Sequence, residues 1–238
     1  MKIVSIITPS FNQAPFLDEA IRSIRHQPSA DLTEHILLDG GSTDGSVDII
    51  KRHSDWLSFW RSSPDRGQSA AINEGFHRAT GDIFCWVNSD DGLAPGAIQT
   101  MISILGGIEG PAWAFGSSVI VDSSSKSLGF GRSERISSLH DLLVHHNSLM
   151  QPGVFWNRAM WELAGALDEQ LHYVMDFDLW IRFALIAPPI CIASNIGINR
   201  IHEGAKTATA GVKIFAELRS VIHKRLAELP SEHAYAIK

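Results

Sequence analysis

"IFCWVNSDDGLAPG", residues 83–96, is the stretch from which the fold can be read. Ile83-Phe84-Cys85-Trp86-Val87 is apolar without interruption, as in a strand covered on both faces, and Gly92, Pro95 and Gly96 end it. Between strand and breakers stand two adjacent carboxylates, Asp90 and Asp91. Like charges side by side repel, so a buried pair needs a positive partner. A solvated turn beginning with Asp is the plain alternative. In open α/β sheets, however, ligands gather at the carboxyl ends of strands. A divalent cation with phosphate would supply the missing charge, because Mg2+ takes one or two carboxylates plus phosphate oxygens.

The same unit, strand then polar loop, recurs upstream. Residues 3–8 form a β-branched strand that runs into Pro9-Ser10-Phe11-Asn12; residues 35–38 precede "DGGSTDGS" (39–46); residues 57–61 precede Pro64-Asp65-Arg66-Gly67. Helical periodicity fills the intervals. Leu17, Ala20, Ile21 and Ile24 share one face, a second helix begins at Val47 with Ser42, Thr43 or Asp44 as its cap, and a third covers residues 70–79. This alternation predicts an α/β fold with a mostly parallel central sheet flanked by helices. Every glycine- or acid-rich stretch follows a strand, which is the layout of a nucleotide site.

The second half is less regular. Strands are expected at 113–121 and 195–201, and helices within 132–146 and at 155–164, 175–185 and 211–229. The last is amphipathic, with Val212, Phe215, Leu218, Ile222 and Leu226 on one side. Its other side mixes Lys213, Glu217, Arg219, Lys224, Arg225 and Glu228, so packing or association between copies is expected of it rather than membrane anchoring.

At 238 residues the chain suffices for one large α/β domain, with or without a small subdomain. A hydrophobic fraction of 45%, a charged fraction of 19% and a net charge of −6 describe an ordinary globular chain with no footprint for nucleic acid. Cys85 and Cys191 match no zinc spacing and read as reduced, buried residues of a cytosolic protein. No cleavage-like leader opens the sequence, and the longest apolar stretch, 183–193, is too short for a bilayer and contains Pro188 and Pro189. A soluble chain is expected, with contact to a membrane surface left open.

Two familiar phosphate loops are excluded. In "DGGSTDGS" the glycines Gly40, Gly41 and Gly45 have the wrong offsets for G-x-G-x-x-G, and no G-x-x-x-x-G-K-[ST] occurs. Phosphate must then rest on a carboxylate-held metal.

Taken in order, "SIITPSFNQAPFLDEAIRSI", "DGGSTDGS", "DRGQSAAINEGFHRATGD", "CWVNSDD" and "DFDLWIR" resemble a family 2 glycosyltransferase with the GT-A fold, over residues 3 to about 206. The resemblance implies an inverting transfer of a sugar from a nucleotide diphosphate, with a UDP-sugar as the leading expectation, to an acceptor hydroxyl. Pro9, Phe11 and Asn12 would edge the base and ribose pocket. Asp39 would accept a hydrogen bond from a ring N–H of the base, an acceptor-only role that suits a carboxylate; an Asx-turn that bends the chain at Gly40 and Gly41 is its other reading. Arg66 would pair with phosphate or stack on the base, and Gln68 and Asn73 would face the ligand or serve as polar helix positions. Ser89-Asp90-Asp91 resembles the family's variant of the D-x-D motif, with Ser in place of the first Asp, which would set Asp90 toward the ribose or a metal-bound water and Asp91 on the Mg2+ or Mn2+ that bridges the phosphates.

The resemblance places the general base at Asp176. The family's acid before it is missing, since Met175 stands there, and Asp178 is the second choice. His202 would ligate the metal or be a satisfied surface residue. Arg200 or Lys206 would contact the diphosphate, and Gln151 and Trp180 the acceptor, with a core role as the other reading of Trp180. One GT-A domain is expected over 1–210, with the nucleotide-sugar half at 1–92 and the acceptor half at 93–210. A C-terminal amphipathic helix and tail, 211–238, follow, through which a homo-oligomer could form. The implied partners are a nucleotide-sugar donor and a glycan or lipid-linked acceptor, with no nucleic acid. The implied setting is cell-surface polysaccharide or glycolipid synthesis in the cytoplasm, at the inner membrane face if peripheral. A catalytically inactive nucleotide-sugar-binding module is the alternative.

Overall fold

The computed structural model describes residues 3–131, 136–144 and 149–228. The expected alternation opens the chain: β1 (Val4–Ser10), α1 (Ala14–Arg25), β2 (Thr33–Asp39), α2 (Ser46–Arg52), β3 (Phe59–Ser62), α3 (Gln68–Arg78) and β4 (Ile83–Trp86). Their parallel pairing gives the order β3-β2-β1-β4. Every residue of β1, β2 and β4 is buried, as two-sided cover by helices requires. Leu17 and Ile21 of α1 pack with Leu37 on one side, and Ala71, Ile72 and Phe76 of α3 pack with Ile7, Ile36 and Leu38 on the other. Helix α3 lies so close to β1 that a Cβ on Gly75 would be driven into Ile7.

The second half continues the same sheet with mixed polarity. It runs β5 (Gly92–Leu93), α4 (Ala97–Leu105), β6 (Trp113–Val121), β7 (Ser127–Gly131), α5 (Leu139–Val144), β8 (Val154–Asn157), α6 (Arg158–Ala164), α7 (Met175–Ile186), β9 (Ile190–Arg200), α8 (Lys206–Ala210) and α9 (Lys213–Ala227). Strand β8 joins β4 to β6 by antiparallel pairing, and β9 runs parallel to β6. The sheet so formed matches the expected α/β class, wholly parallel over β3-β2-β1-β4 and mixed beyond β4.

Several expectations for this half need correction. Residues 154–157 form a strand and not the start of a helix; the chain turns helical only at Arg158, where the Asn157 side chain caps by accepting from Met160 N at 3.0 Å. Helix α4 and strand β7 went unread. The helix expected within 132–146 lies partly outside the described residues, as do His145, His146 and the end of the last helix. Cys191 is exposed, not buried. Helix α9 turns Leu218, Ile222 and Leu226 inward as expected, joined by Ile214 and Val221, whereas Val212 and Phe215 are 82% and 70% exposed.

The core between α7 and the sheet is built on indoles. Trp180 of α7 stacks between Trp86 and Trp113, at 5.6 Å and 6.0 Å with interplanar angles of 10° and 8°. Trp180 is therefore core, and the acceptor contact expected of it is withdrawn. This packing brings the first turn of α7 to the carboxyl end of β4.

Candidate active site

A cavity of about 940 Å³ opens where β1, β2 and β4 end, and residues just beyond each strand form its walls. Pro9 comes from the end of β1, Phe11 from the loop after it, and Gly40 and Gly41 from the second loop. Gly41 has φ +87°, and a Cβ on Gly40 would stand 3.3 Å from the Phe11 ring, so this bend demands glycine. Asn12, itself at φ +52°, stays outside the lining and ties the two loops: its N–H donates to Ser42 Oγ at 2.7 Å, and its Oδ1 accepts from Thr43 N at 3.0 Å.

Asp39 lies behind this wall, fully buried. Its carboxylate accepts from Gly41 N (3.1 Å), Ser42 N (2.8 Å), Ser42 Oγ (2.5 Å) and Ser62 Oγ (2.7 Å). In this structure it does the work of an Asx-turn, and a base N–H would have to displace one of those hydroxyls. On this side the carboxylate that reaches the cavity is Asp65, in the third loop, held by Gly67 N at 2.8 Å and facing Arg61 at 3.6 Å. Sequence reading missed Asp65, although its place after a strand was the signal. Arg66 turns away: it is exposed and pairs with Glu169 at 2.9 Å. Asn73 is likewise taken, donating to Leu167 O and accepting from Leu167 N.

Across the floor runs a polar network with Asn88, also overlooked, at its centre. Asn88 Nδ2 donates to Asp91 Oδ2 (3.0 Å) and Gln151 Oε1 (3.2 Å), and Asn88 Oδ1 accepts from Gln68 Nε2 (2.8 Å). Gln151 Nε2 is anchored on Trp86 O at 2.8 Å, and Lys206 Nζ donates to Gln68 Oε1 at 2.9 Å. Gln68, Gln151 and Lys206 thus share one cavity wall.

The acid pair closes the floor. Asp91 is 7% exposed; besides Asn88 it accepts from Arg200 N at 3.0 Å and Asn199 Nδ2 at 3.4 Å. Burial first, and then the charge of Asp90, push its carboxyl up to about 7. Asp90 meets His202 Nε2 through Oδ2 at 3.0 Å, and the imidazole leans on Phe16 at 4.6 Å between ring centres. The Arg200 guanidinium is committed elsewhere, to Glu19 (2.8 Å), Asp90 O (2.9 Å), Asp122 O (2.9 Å) and Ser125 Oγ (3.0 Å). It braces the acid pair, and to reach a diphosphate its side chain would have to leave these partners.

These donors suit a divalent cation. A buried carboxyl raised by a like charge gains most from a hard cation, and Asp91, with His202 from the neighbouring Asp90–His202 pair, is the side chain that would hold one. No group of three His, Cys, Asp or Glu is gathered around one point among the described residues. A site completed by phosphate oxygens does not need such a group.

On the far wall Asp176 enters from the first turn of α7, with Oδ1 accepting from Phe177 N at 2.7 Å. Asp178 faces the other way: it is 1% exposed and clamped by Arg225 at 2.7 Å and Arg182 at 3.0 Å. A carboxylate so paired has no use as a base, and the second choice is withdrawn.

Residues 5–112 match the family model described as Glycosyl transferase family 2. An uncharacterized glycosyltransferase of Mycobacterium tuberculosis is 29% identical over 93% of this chain and 84% of its own length. Another, of Rickettsia typhi, is 27% identical over 87% of this chain and 67% of its own. Among solved structures, S. aureus TarS residues 1–349 in complex with UDP-GlcNAc superposes with a TM-score of 0.77 at 16% identity, covering 100% of this chain and 70% of that one. The mannosyltransferase PcManGT of Pyrobaculum calidifontis, in complex with GDP-Man and Mn2+, gives 0.68 at 16% identity over 94% and 63%. At such identities these two show the shared GT-A fold.

Proposed function

We propose that this chain, a member of glycosyl transferase family 2 and hence a glycosyltransferase, moves a sugar from a nucleotide diphosphate to an acceptor hydroxyl with inversion at the anomeric carbon. One observation carries the reading: a single cavity holds the buried Asp91 and the half-buried Asp90 on its floor and Asp176 on its wall. Residues 1–92 supply the nucleotide side, with Phe11, Pro9 and the glycine bend as a face for the base and Asp65 beside them. The donor is a UDP-sugar, as in the TarS complex, and PcManGT leaves a GDP-sugar as the comparison to run. Residues 93–210 supply the acceptor side through Gln151 and the first turn of α7.

Asp176 accepts the proton of the acceptor hydroxyl as that oxygen forms its bond to the anomeric carbon; the bond from that carbon to the phosphate oxygen breaks, and the nucleoside diphosphate departs. Asp91 and His202, with Asp90 beside them, would hold Mg2+ or Mn2+, and such an ion would neutralise the charge on the leaving diphosphate. Lys206, bound to Gln68 at the cavity mouth, adds a cation on the same side. Asn88 orients Asp91 and Gln151 together. The cavity-lining Asp176 favours catalysis over a binding-only module.

We place the reaction in cell-surface polysaccharide or glycolipid synthesis, on a glycan or lipid-linked acceptor, at the cytoplasmic face of the membrane. The family resemblance supports that setting, and no described helix is long and apolar enough to cross a bilayer. Competitive binding of UDP, GDP and dTDP with Mn2+, followed by sugar release from the matching donors, tests the reading. Absence of metal-dependent binding to any of the three would overturn it.

A further inference from the structure

Helix α7 begins at Met175 with no side-chain cap from its own Val174, so the N–H groups entering it need acceptors from elsewhere. Helix α9 provides them. Glu217 Oε1 accepts from His172 N at 2.8 Å, and Oε2 accepts from Tyr173 N at 2.6 Å and Val174 N at 2.9 Å. A carboxylate here also matches the positive end of the α7 dipole. Two turns further along α9, Arg225 grips Asp178 through Nε at 2.7 Å and Nη2 at 3.1 Å. Glu217 therefore holds the chain two residues before Asp176, and Arg225 holds it two residues after. His172 and Tyr173, whose N–H groups Glu217 binds, line the cavity together with Asp176.

We propose that Glu217 is a positioning residue, whose carboxylate fixes the segment 172–174 and thereby sets where Asp176 meets the acceptor. This rests on the reading of Asp176 as the base. Helix α9 is then part of the frame of the active site. Its inward apolar residues hold it on the core, and its two inward charged residues are explained by the grip on α7. Without Glu217 the three N–H groups turn to water, the segment loosens, and Asp176 samples positions away from the reacting oxygen. The base side of the cavity, built on the first four strands, takes none of the Glu217 hydrogen bonds. The loss is thus expected in turnover and not in donor binding.

The test uses the full chain and three variants, Glu217→Ala, Glu217→Gln and Asp176→Asn. UDP affinity in Mn2+ is read by calorimetry, turnover by UDP release from UDP-GlcNAc, and the amides of 172–174 by hydrogen exchange. Glu217→Ala should exchange these amides faster and lose roughly 10–10²-fold in turnover, the scale of a misplaced catalytic group, with UDP affinity within about twofold of wild type. Glu217→Gln, which keeps one acceptor oxygen against three donors, should fall between Ala and wild type. Unchanged exchange at 172–174, wild-type turnover, or a parallel loss of UDP affinity in Glu217→Ala overturns the proposal. If the Ala variant does not fold, the same readings on Glu217→Gln decide. The base reading fails separately: it falls if Asp176→Asn turns over at the wild-type rate, whatever the exchange data show about the clamp.

Discussion

Asp91 holds a carboxyl that burial and Asp90 push up to about 7, so metal binding has to remove a proton from it near neutrality. The sign follows directly. Below about 7 the site is protonated and resists the cation; above it the carboxylate is ready. Mn2+-dependent affinity for UDP should therefore rise as pH passes upward through about 7 and then level off, and calorimetry across that range would show a flat profile if Asp91 were not a ligand. Asp91→Ala should abolish the metal-dependent part of UDP binding; unchanged affinity with Mn2+ would remove the assignment. At the same scale, Asp176→Asn should retain UDP binding and lose about 10²–10⁴-fold in turnover, the usual contribution of a positioned general base. Near-wild-type transfer by that variant would move the base out of this motif.

At the scale of elements, α7 is held by what its neighbours offer. Asp178 has lost nearly all its water and depends on Arg182 and Arg225. Removing one partner of a buried pair costs about 3–5 kcal/mol, and Arg225→Ala, which leaves Arg182 in place, should sit toward the lower end in urea unfolding. Asp178→Asn should weaken the fold by a similar amount without changing the pH dependence of turnover; a selective loss of turnover at full stability would restore Asp178 as a candidate base. In the first half, Gly75→Ala pushes α3 off Ile7 of β1, and overpacking of this kind costs about 1–3 kcal/mol. An unchanged unfolding midpoint would show that the helix has room to shift.

Across the whole molecule, two buried groups pull acid stability in opposite directions. His35 is fully buried and bonded to Thr8 at 2.8 Å; burial, then the charge of His53, lowers its pKa to about 3. The unfolded chain takes up that proton from 6.5 downward while the folded chain refuses it, so stability from His35 is lost as pH falls through this window. Asp91 does the reverse. Its folded pKa of about 7 lies above the ordinary aspartate value of 3.8, so the folded chain keeps a proton that the unfolded chain releases, and stability falls as pH rises between the two. In metal-free protein the two slopes should largely cancel between about 4 and 6.5. Asp91→Asn should uncover the His35 slope, so that the variant's stability rises with pH by about one proton's worth per unit. Urea unfolding over that range checks it, and matching slopes in variant and parent would contradict it.

The local pattern determined the first half of the chain. Buried strands without alternation, periodic helices and breakers after each strand made a parallel sheet with loops at its carboxyl ends the natural reading, and strands 113–121 and 83–87 were legible almost to the residue. The acid pair was legible for the same reason, since two adjacent carboxylates after a core strand stand out locally. What tertiary structure decided were partnerships between residues far apart in sequence. Residues 154–157 are a strand because β4 and β6 leave a gap to fill, which no local periodicity reports. Asp39, Arg66 and Arg200 carry the right groups at the expected positions, but Ser62, Glu169 and Glu19 satisfy them from other elements. Glu217 and Arg225, polar by composition, face inward because α7 presents unpaired N–H groups and a buried carboxylate to them. Propensity and patterning are properties of neighbours along the chain; hydrogen-bond satisfaction is a property of neighbours in space, and it chose which polar residues face the cavity.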